Sequence, residues 1–196
     1  MLKLFFQLWG AAFFLLNKIF LSKSERCSFP EKKKKWLVIS WVVYLIGLPT
    51  WVIVFILESN WIAACVEAGG APAMIVGLYT ALHGQNKHPL WLDYFAKTAV
   101  IAGLLISLYH FGGIFSIKQF LELGIATGFL LGTYFLAKEK IQPGYLWFLV
   151  GNISCAILMG MESYFILMAQ QIISLGFVLD AYLVNRKMEA TYATFN

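Results

Sequence analysis

The sequence predicts an all-α fold, a polytopic transmembrane helical bundle of about seven helices. Three observations predict it. Apolar residues make up 60% of the 196-residue chain and charged residues 13%, where a soluble domain carries roughly a quarter charged residues. Seven apolar stretches follow one another (4–21, 36–57, 61–81, 98–117, 120–137, 145–161 and 164–184), each near the roughly 20 residues that cross a bilayer as a helix. Lysine and arginine gather in alternate gaps between those stretches. The mean hydropathy is +0.74, and the polar/apolar alternation that a membrane β-barrel requires is absent. Connections are short, so residues 1–196 read as a single integral membrane domain with no soluble domain attached.

The first stretch is rich in Phe, Leu and Trp but holds Gln7, Asn17 and Lys18. It either spans the membrane or lies in the interface plane, and if it is interfacial six helices remain. A cleaved signal peptide is disfavoured because no small-x-small site follows the apolar run. The second stretch follows the basic run Lys32, Lys33, Lys34 and Lys35 and contains Pro49; the third contains Pro72. Each proline removes a backbone hydrogen bond. Such breaks either flank a substrate cavity or are tolerated kinks.

The basic residues orient the bundle. Lys23, Arg26, the run 32–35, Lys87, Lys97, Lys138, Lys140, Arg186 and Lys187 would lie on one side, Lys3 and Lys118 on the other, with Lys18 near the inner end of the first helix. The positive-inside rule then places the N-terminus outside and the C-terminus in the cytoplasm. The formal charge of +5 is therefore a topology signal, and nucleic acid is not an expected partner. The run 32–35 abuts a membrane helix, where it can hold anionic lipid headgroups.

The third and fifth stretches share a pattern at an offset of 55 residues: Glu67, Gly69, Ala71, Gly77 and Tyr79 match Glu122, Gly124, Ala126, Gly132 and Tyr134. Gly124, Gly128 and Gly132 form a small-xxx-small stripe, as do Gly69, Ala73 and Gly77, and such stripes let helix backbones approach closely in lipid. The glutamates lie about 200° round the helix from the stripes.

Ionisable groups inside a span cost on the order of 2.5–3.5 kcal/mol at the centre, which makes them functional candidates. Glu67, a third of the way into its stretch, leads; the alternative is a glutamate paired with a neighbouring helix. Glu122 is either functional or an interfacial partner of Lys118 at i−4. His110 is a ligand or proton-relay candidate, or a hydrogen-bonded core residue. Asp180 can reach water, and Asp93 reads as an interfacial loop residue beside His88 and Trp91. Tyr79 and Tyr134 enter through the repeat. Trp147 and Asn152 in the sixth stretch, and Gln170 and Gln171 in the seventh, complete the ligand-binding set. Amides supply both donors and acceptors, and aromatic faces stack on flat or cationic rings; interhelical hydrogen bonds and an interfacial belt are the plainer explanations. Cys27, Cys65 and Cys155 form no CxxC or Cys/His cluster, so no metal or cofactor is expected.

Residues 132–187 read GTYFLAKEKIQPGYLWFLVGNISCAILMGMESYFILMAQQIISLGFVLDAYLVNRK. A helix ends in a short basic turn (Lys138, Lys140), a helix with Trp147 and Asn152 follows, and a last helix ends in Arg186 and Lys187. This last third of the chain resembles the C-terminal half of the PnuC family of vitamin transporters. The resemblance implies two three-helix bundles joined by a linker helix, in the SWEET manner, with equivalent helices four apart. It also implies a mid-membrane site of Trp and amide side chains for nicotinamide riboside or a related vitamin, and facilitated uptake in a bacterial inner membrane.

The leading function is thus small-molecule transport. The alternative is an accessory or assembly subunit of a membrane complex, in which glycine stripes and polar residues serve packing. An intramembrane enzyme is disfavoured because HExxH, GxSxG and paired-aspartate motifs are missing. Expected partners are the lipid bilayer and a small-molecule substrate, with self-association left open.

Overall fold

The computed structural model describes residues 2–57, 61–84, 87–110 and 116–195. Its elements are α1 (Leu2–Arg26), α2 (Pro30–Leu57), α3 (Trp61–Gly69), α4 (Ala71–His83), α5 (Leu90–His110), α6 (Ile117–Ala137), α7 (Ile141–Met161) and α8 (Phe165–Phe195). No strand occurs among the described residues. Helices α3 and α4 together form one candidate crossing, so the described residues make seven helical units. Six of these, α1, α2, α3 with α4, α6, α7 and α8, are long and apolar enough to span a membrane over their described residues, and α5, at 21 residues, has the length to cross as well.

The six candidate spans close into a ring. α1 packs on α2, α2 on α3 and α4, α4 on α6, α6 on α7, α7 on α8, and α8 returns to α1. α5 lies against α3, α4 and α6 and turns Trp91, Ile101 and Leu105 outward. The first stretch is therefore one of the candidate spans and packs within the ring, on α2 and α8. The ring's interior is filled by Trp41, Tyr44, Met74, Val76, Phe148 and Val178.

The third crossing is broken. The Gly70 amide bonds the Glu67 carbonyl at 3.1 Å, the tight closure of a helix end, and α4 restarts with Gly70 as its N-cap. Pro72 sits in the first turn of α4, where its missing N–H costs nothing. Pro49, in contrast, lies inside a continuous α2.

The glycine stripe of α6 is a helix interface. A Cβ on Gly124 would strike Ser154, one on Gly128 the backbone of Gly151, and one on Gly132 the Phe148 ring. Thus α6 and α7 meet nearly backbone to backbone, as close packing in lipid requires. The corresponding stripe of the third crossing is divided by the break: Gly69 approaches the Ala99 carbonyl of α5, while Gly77 receives the Trp41 ring of α2.

Several boundaries differ from expectation: α1 runs on to Arg26, α2 already starts at Pro30, and α5 is displaced toward the N-terminus and ends at His110. α5 starts at Leu90 rather than near residue 98, since Pro89 opens it and its carbonyl accepts from the Leu92 amide at 3.0 Å. Asp93 is thereby a helical residue, paired one turn on with Lys97 at 3.1 Å. α8 runs on to Phe195, past the apolar stretch, because the polar residues 185–191 keep good helix formers.

Candidate functional site

Helix α1 carries two polar residues into the ring. Asn17 is fully buried and donates through Nδ2 to the Ser40 carbonyl of α2 at 3.0 Å. Lys18 is 4% exposed. Its Nζ stands 3.4 Å from the centroid of the Phe148 ring, 4.9 Å from that of Tyr44 and 5.9 Å from that of Phe129. Neither Lys18 Nζ nor Asn17 Oδ1 has a hydrogen-bond partner among the described residues. A desolvated cation–π contact is worth about 2 kcal/mol, whereas burying an ammonium costs several, so the rings alone do not balance the charge.

Glu67 supplies the opposite sign. It sits in the last turn of α3, beside the break, half-buried and within electrostatic reach of Lys18, Tyr44 and Cys155. Asn152 of α7 is fully buried one turn from Phe148 and donates to its carbonyl at 2.7 Å, leaving Oδ1 unpartnered. Tyr44 shares its hydroxyl with Thr133 of α6 at 3.3 Å. Four helices thus surround one amine donor, with unpartnered amide oxygens on Asn17 and Asn152, aromatic faces and a carboxylate nearby. Such a set offers both donors and acceptors to a polar group.

Of the residues expected from sequence, Glu67 and Asn152 belong to this interior. Tyr79 instead stacks on His83 at 4.3 Å near the end of α4. Tyr134 packs at the end of α6, within reach of Asp93 and Lys97. Trp147 is half-buried, and its carbonyl lies over Gly128. Gln170 and Gln171 are half-buried on α8. Glu122 is half-buried in α6, and Lys118 bonds Glu162, the C-cap of α7, at 3.3 Å, a partner the i−4 reading did not include. The His110 side chain lies outside the described residues. Lys18, Tyr44 and Phe148 were not singled out as ligand-binding from sequence. The available signal was an Asn-Lys pair inside an apolar run, followed by Ile-Phe-Leu before the next basic residue.

Polar networks tie the basic end of the bundle. Glu25, 2% exposed, accepts from Lys33 at 2.9 Å, from the Tyr145 hydroxyl at 3.3 Å and from Asn185 at 3.5 Å, linking α1, α2, α7 and α8. Asp180 does not simply reach water: it accepts from Ser22 at 2.5 Å and from Arg26. Lys138 bridges His88 at 3.0 Å and Asp93 at 3.1 Å. Burial and the Lys138 ammonium hold the His88 imidazole below its ordinary value. Burial would raise Asp93, but Lys97 and Lys138 hold its carboxyl below the usual range.

Comparison with protein-family models, with curated proteins and with solved structures finds no match. What is shown is a multi-pass helical bundle with apolar helices fit to cross a membrane.

Proposed function

We propose that this chain is a small-molecule carrier whose ligand binds in the ring interior among Lys18, Glu67, Asn152 and the Tyr44 and Phe148 rings. The observation that carries it is Lys18: a buried amine without a hydrogen-bond partner among the described residues, at the centre of a closed ring. Intramembrane ionisable groups of this kind mark substrate or ion pathways. The break between α3 and α4 beside Glu67 supports it, since discontinuous helices flank the sites of many carriers. Ring order adds support. Shifting α1, α2 and α3/α4 by three places around the ring gives α6, α7 and α8, and the extra crossing by α5 returns the chain so that both triplets run in the same direction. That is the relation a PnuC-like chain would have, with α5 as linker. Nicotinamide riboside, thiamine and riboflavin are accordingly the first substrates to test. We place the chain in a bacterial inner membrane with its basic end in the cytoplasm, on the strength of the Lys/Arg distribution.

The test is uptake of the three labelled vitamins into liposomes holding the purified full-length protein. Uptake of at least one is expected, with Lys18→Met and Glu67→Gln each reducing it about tenfold or more while the protein stays folded, as losing one buried polar partner implies. No uptake by folded wild type, or unchanged uptake in both variants, would overturn the assignment and favour an assembly subunit.

A further inference from the structure

A cleft of about 350 Å³ opens between α1 and α8, lined by Ile19, Ser22, Lys23, Arg26 and Asp180 with Ile173, Gly176 and Phe177. It holds none of the residues of the ring interior. Its chemistry is graded along the helices. Ile19, Ile173, Gly176 and Phe177 form the end nearer the bundle centre, whereas Lys23, Arg26 and Asp180 form the end nearer the basic surface. The two helices run in the same direction here, since Ser22 of α1 pairs with Asp180 of α8 and Glu25, three residues on, with Asn185.

The aromatic side chains give the level of the bilayer boundary. Phe20 stacks on Trp36 at 5.4 Å, and Lys23 Nζ lies 4.9 Å over the Trp36 ring. Trp and Lys together are the residues that settle at the headgroup level. The apolar end of the cleft therefore lies in hydrocarbon and the charged end among headgroups. Gly176 makes the recess: a Cβ added there would meet nothing within 4 Å. Two cations face one carboxylate, which leaves an excess positive charge for an anion. The cleft covers about two turns of each helix, roughly 10 Å, too short to seat a partner's spanning helix but suited to a headgroup and the upper part of one acyl chain.

We propose that this cleft is a binding site for an anionic phospholipid, its phosphate held by Lys23 and Arg26 and one acyl chain lying over Gly176. The lipid bridges α1 and α8, the seam at which the first and last helices of the ring meet.

The test is native mass spectrometry of the full-length protein in mild detergent, incubated with equal amounts of phosphatidylglycerol and phosphatidylcholine. Wild type is expected to retain phosphatidylglycerol in preference. Lys23→Ala is expected to lower that retention about fivefold without affecting phosphatidylcholine, the size expected for one cation at an anionic surface. Gly176→Leu is expected to lower retention of both lipids, and because it points into open space its melting temperature should match wild type. A variant with alanine at 32–35 should keep the preference. Equal retention of the two lipids by wild type would overturn the site. So would full phosphatidylglycerol retention in Gly176→Leu, or loss of the preference in the 32–35 variant alone.

Discussion

Lys18 sets the largest local electrostatic problem in the bundle. Its amine is screened from lipid by Tyr44, Phe129 and Phe148 and offset at longer range by Glu67. A methionine of similar length would keep the packing and remove the desolvation cost, which for buried ionic groups often leaves stability equal or higher. Lys18→Met is therefore expected to melt at or above the wild-type temperature; a fall of several degrees would mean the amine holds the fold together. Glu25 is the opposite case, since three side chains bond it. Glu25→Ala should cost about 2 kcal/mol or more, the worth of charged hydrogen bonds plus the groups left unpaired, read from thermal or denaturant melts. Asp93 gives a pH signature. Its carboxyl is held low in the folded state, so its contribution is complete above its ordinary value near about 3.9 and fades as pH falls through the folded value. Asp93→Asn should thus narrow the difference in melting temperature between pH 7 and pH 3; an unchanged difference would show that the Lys97 and Lys138 pairs carry no stability.

At the level of the helix, two glycines make a controlled contrast. Gly128 lies against the Gly151 backbone, and Gly176 faces open space. Gly128→Ala should destabilise by about 1–3 kcal/mol through overpacking, while Gly176→Ala should be neutral or gain up to about 1 kcal/mol from helix propensity. Equal melting of the two variants would remove the α6–α7 contact as a close interface. The stripe on α6 was legible in the sequence because an unbroken helix keeps residues four apart on one side. Its counterpart in the third crossing was not, because Gly69 meets α5 and Gly77 meets α2, so the two ends of that stripe serve different partners. The start of α5 was missed for a related reason: Asp93 and Lys97 looked like loop residues until their pairing within one helical turn accounted for both charges.

Across the whole molecule, the ring follows chain order with α5 left out, α4 passing directly to α6, and then closes α8 onto α1. The basic residues gather where α1 ends and α2 begins, where α4 ends, and where α6 passes into α7; Lys33 to Glu25 and Lys34 to the Leu82 carbonyl at 2.7 Å hold these ends together. If that end faces the cytoplasm, an alkaline phosphatase fused to the C-terminus should be inactive in a bacterial host, and a protease tag at the N-terminus should be cut from outside. The reverse pattern would invert the orientation drawn from the positive-inside rule.

Composition and spacing alone determined the class, the number of apolar segments, the grouping of basic ends and two members of the ring interior, Glu67 and Asn152. All of these follow from hydrophobicity and charge, which act on each segment separately. Only the tertiary structure decided that α1 packs within the ring, that α5 stands outside it, and that Lys18 meets Phe148, Tyr44 and the charge of Glu67. Those outcomes depend on which faces of distant helices meet, and helix-to-helix packing in lipid is selected by shape and by polar pairing rather than by hydrophobicity, which is uniform around a membrane helix.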